Sequence, residues 1–220
     1  MKTVEYNDID LEKFQEYKHI QTGTVWNSDV NVYSQILDRY TRQNDIVLNL
    51  FGLQSTNGEN HTTITNQDIC NTETINRHRR YIEAEFQSNQ AKNKIQSELK
   101  KVGNKQVQLI ILEPTYLDYE NGLKNFYDNF SNIAKFSSDL LENNRFICLI
   151  IQDYYTNQSL EPISYKCAEI VEKLGFRLKS VNIKMLKKEG EHKLFQYRAL
   201  CGGFNIFEHE YVIILQKIKK

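Results

Sequence analysis

The sequence predicts a three-layer α/β/α domain built on a mostly parallel sheet, with one antiparallel strand near an edge. Three observations carry this. Short apolar runs recur along the chain and alternate with longer stretches of helical spacing. The runs are continuous rather than alternating, as strands covered on both faces are. The last two runs have no helix between them, so one strand must run against the others.

The elements follow in order. Asp8 or Asp10 can cap a first helix to about Ile20, with Leu11, Phe14 and Tyr17 on one face. Residues 1–23 are therefore read as a helical extension and 24–220 as the main domain. A helix over about 29–43 places Tyr33, Ile36, Leu37 and Tyr40 together, and the run 45–51 (DIVLNLF) is the first buried strand. A strand at 81–86, a helix at 88–101 and a strand at 107–112 (VQLIIL) come next. A long helix at 123–141 turns Leu123, Phe126, Tyr127, Phe130, Ile133, Ala134, Leu140 and Leu141 inward. It leads to a strand at 145–151 (RFICLII). A helix at about 160–174 ends at Gly175, which suits a left-handed cap. Strands at 176–186 and 210–217 close the chain around a polar, glycine-containing excursion at 187–209.

The chain has 220 residues, 40% hydrophobic and 25% charged, enough to bury a core. Lys and Arg number 28, as do Asp and Glu, so the net charge is zero. That argues against a protein that coats nucleic acid by charge alone and leaves room for a local basic face. The N-terminus lacks a basic start followed by an apolar stretch, and no run has the roughly 20 apolar residues a membrane span needs. Cys70, Cys148, Cys167 and Cys201 fit no zinc spacing and read as free thiols, two of them in apolar segments. A cytoplasmic protein, or a nuclear one in a eukaryote, is expected, with no membrane and no metal. His209-Glu210 has no second histidine at zinc-binding spacing.

In sheets of this type, ligands sit beyond the carboxyl ends of the strands. Two segments lie there: FGLQSTN (51–57) after the first buried strand and EPTY (113–116) after the third. On the residues alone, EPTY is either a base-gripping loop or a proline turn after a core strand. TVWNSDVNVYSQILDRYTRQNDIVLNLFGLQST, RHRRYIEAEF, QLIILEPTY, RFICLIIQDYY and FEHEYVIILQK occur in this order. The ordered set resembles the Rossmann-like, S-adenosylmethionine-dependent amino-methyltransferases of DNA and tRNA, over about residues 24–217. The resemblance implies S-adenosylmethionine as cofactor. It places Asn49, Phe51, Gly52 and Ser55 at the cofactor's amino-acid part and Glu85 at its ribose hydroxyls. It makes Glu113 and the Pro114 carbonyl the acceptors for the target amine, and Tyr116 the ring that stacks on the flipped base.

The sequence departs from the family pattern at both motifs. Leu53 and Ser55 stand at glycine positions where backbone should approach the cofactor. Glu113 is one methylene longer than the usual Asp, and Thr115 replaces a second proline. A misplacement of about 1 Å can cost on the order of 100-fold in rate. The reading is a methyltransferase-like protein of weakened or lost activity. Its alternatives are an active DNA or tRNA base methyltransferase and a non-catalytic subunit of a methyltransferase complex.

Arg77, Arg79 and Arg80, with Lys187 and Lys188, are candidate phosphate contacts. A solvated connection before a strand is the commoner reading of the arginine run. Lys184, Lys217, Lys219 and Lys220 either extend that patch or form a charged strand edge that blocks aggregation. Asp153 matches an acid common at this place in the family and reads as a helix-capping or turn residue. With no separate target-recognition domain in the sequence, a homodimer or a heteromeric partner is expected.

Overall fold

The computed structural model describes residues 23–42, 44–51, 80–85, 91–103, 105–114, 122–156, 159–186 and 209–219. The expected first helix, Gly52, Ser55, Arg77, Arg79, Tyr116, Lys187 and Lys188 lie outside them, as do Cys70 and Cys201.

The chain forms β1 (Val25–Trp26), α1 (Val32–Tyr40), β2 (Ile46–Phe51), β3 (Arg80–Glu85), α2 (Ala91–Lys101), β4 (Val107–Glu113) and α3 (Leu123–Leu140). Then come β5 (Leu141–Ile151), β6 (Tyr154–Thr156), β7 (Ser159–Glu161), α4 (Ile163–Lys173), β8 (Phe176–Met185) and β9 (His209–Lys217). Seven strands make one sheet in the order β1-β8-β9-β5-β4-β2-β3. β2, β3, β4 and β5 are mutually parallel, and β9 lies antiparallel between β5 and β8. This is a Rossmann-like α/β/α sheet with its antiparallel strand near one edge, as the missing final helix predicts. β3 forms the opposite edge.

Local chemistry sets the bounds. α1 is shorter than the helical spacing suggests because Asn31 caps it, its side chain accepting from the Ser34 amide at 3.0 Å, and Thr41 is already extended. β5 begins directly after α3 rather than at Arg145. Asn144 takes the left-handed region (φ 63°) there, and the β4–β5 register shifts at this place. Gly175 (φ 96°) closes α4 as expected, its amide donating to the Glu172 carbonyl at 2.9 Å. The two-residue β1 and the β6–β7 hairpin were not expected from the sequence.

Two cores result. On one face, α2, α3 and α4 set Ile95, Leu99, Phe126, Phe130, Cys167 and Val171 against Leu48, Ile110, Leu149 and Leu215. On the other, among the described residues, α1 sets Tyr33, Ile36 and Leu37 against Val47, Leu109, Ile111, Cys148, Val212 and Ile214, with Trp26 beside them. Cys148 and Cys167 are buried free thiols. Among the described residues, no helix is long and apolar enough to cross a membrane.

Candidate functional site

The sheet brings the carboxyl ends of β3, β2 and β4 side by side. Phe51 pairs across the strands with Glu85 on one side and with Glu113 on the other. The residues that the resemblance assigns to cofactor and to target amine thus form one row at the strand ends, although Phe51 and Glu113 stand far apart in the sequence. Pro114 follows directly and is buried. Arg80 opens β3, at the opposite end of that strand from Glu85.

Strand periodicity fixes which way Asn49 and Glu113 face. Val47, Leu109 and Ile111 belong to the α1-side core. Asn49 and Glu113, two residues further along their strands, therefore point to the same side. There the apolar core gives way to polar groups. The Tyr33 hydroxyl, from α1, donates to Glu113 Oε2. Asn49 is buried, and its Oδ1 has no partner among the described residues.

Two further charges complete the cluster. Glu210 on β9 faces Lys184 on β8 in cross-strand register. Lys184 is 7% exposed, and its Nζ donates to the carbonyls of Asn27 (2.9 Å), Ser28 (2.6 Å) and Met185 (3.2 Å). It holds the turn that leads into α1. Lys217 likewise donates to the Ser138 and Leu141 carbonyls, both at 2.6 Å. These two lysines are structural ties, which corrects their place in a phosphate-facing patch.

Crowding of acids in a low-dielectric setting shows in the titration of the cluster. Burial pushes the Glu113 carboxyl up to about 7; the Glu210 charge adds to this and the Tyr33 hydrogen bond opposes it. Glu210 is raised by burial, with Lys184 opposing. Burial, then the charge of Glu113, lifts the Tyr33 phenol well above its usual range. The Cys148 thiol is raised by burial and by both acids, which makes it an inert core residue.

Asp153 lies outside this cluster. Its Oδ1 accepts from the Ser164 amide at 2.8 Å, in the first turn of α4, as its reading as a capping residue predicts. Sequence reasoning missed the polar roles of Tyr33, Lys184 and Glu210. Tyr33 sits at helical spacing among core residues, and nothing local marks it as the partner of a residue 80 positions away. Among the described residues, no group of acids, histidines and cysteines is placed to hold a metal.

No family model matches the chain, and no curated protein does. Solved structures match at low identity. A candidate DNA modification methylase from Thermus thermophilus is 18% identical over 52% of this chain and 46% of its own, with a TM-score of 0.42. A methyltransferase from Pyrococcus furiosus is 11% identical over 84% of this chain and 80% of its own, with a TM-score of 0.44. An S-adenosylmethionine-dependent methyltransferase from Methanosarcina mazei is 9% identical over 87% of this chain and 100% of its own, with a TM-score of 0.43. The chain spans about half the length of the Thermus protein. Likeness at this level concerns the general fold and assigns no role to any residue.

Proposed function

We propose that this chain binds S-adenosylmethionine across the carboxyl ends of β2 and β3 and methylates, at a low rate, an exocyclic amine of a nucleic-acid base. The observation that carries the reading is the row Glu85–Phe51–Glu113 at the ends of three adjacent parallel strands. Two segments that resemble a cofactor motif and a catalytic motif meet there in register.

The buried Asn49 Oδ1 gives the cofactor a fit of its own. A buried acceptor without a partner is costly, by about 1–3 kcal/mol, unless something donates to it. The ammonium group of the cofactor's amino-acid part is such a donor, and Glu85 is the acceptor for its ribose hydroxyls. When bound, the cofactor supplies a methyl group activated on a sulfonium. Glu113 and the Pro114 carbonyl then accept hydrogen bonds from the target amine and aim its lone pair, while Tyr116 stacks on the base. Arg77, Arg79, Arg80, Lys187 and Lys188 neutralise phosphates of a DNA or RNA substrate, and a second copy or another subunit completes its recognition. The longer Glu113, Thr115 and the side chains of Leu53 and Ser55 account for the low rate.

Calorimetric titration of the whole protein with S-adenosylmethionine and S-adenosylhomocysteine tests this. The expected result is micromolar binding that weakens at least about tenfold in Glu85→Ala, the loss of roughly one charge-assisted hydrogen bond. Absence of heat at millimolar cofactor overturns the reading.

A further inference from the structure

We propose that Tyr33 is the positioning residue of this site, and that its hydroxyl holds the Glu113 carboxylate in place from α1. The proposal rests on the reading above for the role of Glu113. Its geometry stands without the cofactor.

A glutamate in place of an aspartate has one more rotatable bond, so its carboxylate is harder to hold in one place. Here the hold comes from another layer of the fold. α1 crosses the sheet face so that the Tyr33 hydroxyl meets Glu113 Oε2, which leaves Oε1 for another donor. Tyr33 is itself buried in the α1-side core beside Ile36 and Leu37, so its ring has little freedom to swing away. Lys184, through the Asn27 and Ser28 carbonyls, anchors the turn from which α1 starts.

Among the described residues, the groups around Glu113 are Tyr33 on α1, Asn49 on β2, Cys148 on β5, Glu210 on β9 and, beyond it, Lys184 on β8. Of these, Tyr33 opposes the upward pull of burial on the Glu113 carboxyl directly. Removing its hydroxyl should move the titration of Glu113 further upward.

The test follows the side-chain carboxyl carbon of Glu113 by NMR against pH in glutamate-labelled protein, with the signal identified by its loss in Glu113→Gln. Circular dichroism and the fluorescence of Trp26, the one tryptophan, check that each variant is folded. Tyr33→Phe should shift the Glu113 midpoint upward. Ile36→Val, a packing change on the same helix, should leave it in place, so that the shift reports the hydroxyl and not the packing of α1. An unmoved midpoint in Tyr33→Phe overturns the proposal, and so does an equal shift in Ile36→Val. All these measurements use free protein, so absence of cofactor binding in the calorimeter would refute the function while leaving this outcome readable.

Discussion

The two faces of the sheet are built from the same strands and differ in what they bury. On the three-helix face, Leu48, Phe130 and Leu215 belong to a large apolar core, and the buried polar groups beside it are the hydroxyls of Ser137, Ser138 and Ser164 and the Asp153 cap. On the α1 face, an apolar base of Val47, Leu109 and Ile214 ends in Tyr33, Asn49, Glu113, Glu210 and Lys184. Burying polar groups costs free energy unless each is matched, and an apolar replacement is often neutral or stabilising. The three-helix face therefore stays close to the requirements of stability. The α1 face departs from them by gathering ionisable groups at the strand ends, where ligands bind in sheets of this kind.

The largest expected effect lies on the stable face. Phe130 is fully buried and its ring centroid lies 5.9 Å from that of Phe126. Phe130→Ala should cost about 3–5 kcal/mol in urea unfolding and leave the cofactor affinity of the folded protein unchanged. A marked loss of affinity in that variant would break the division between faces.

A middle effect lies on the polar face and depends on pH. The folded Glu113 carboxyl at about 7 lies above its ordinary value of 4.5, so the folded state holds its proton more tightly than the unfolded state. The stability it contributes is fully present below the ordinary value and is lost as pH rises through 7. Between about pH 5 and pH 8 this amounts to roughly 2–3 kcal/mol. Glu113→Gln should remove that part of the slope, and an unchanged slope would place Glu113 in a more watery setting than the cluster implies. The smallest effect belongs to the surface. Lys101, largely exposed, meets the partly buried Glu98 at 2.6 Å one helical turn away, and Lys101→Ala should cost under about 0.5 kcal/mol.

The stable face was the legible one. DIVLNLF, VQLIIL and RFICLII announce strands because burial on both faces demands unbroken apolar runs, and α3 shows its inward stripe at helical spacing. The antiparallel β9 followed from the absence of a helix before it. Less could be read where structure depends on distant partners. β1 and the β6–β7 hairpin are too short to show a period. The sequence marked Glu113 and Asn49 through the motifs they resemble. Tyr33 and Lys184 carried no such mark, because their partners are set by register and layer, which no local pattern encodes. Lys184 is a surface lysine by composition and a buried tie by position.

Hydrogen–deuterium exchange with and without saturating S-adenosylhomocysteine tests most directly whether the polar end of the α1 face is the cofactor site. The account predicts slower amide exchange at the ends of β2 and β3, around Leu50–Phe51 and Ala84–Glu85, with α4 and β8 unchanged. Slowing confined to other parts of the sheet, or none at saturation, would contradict it.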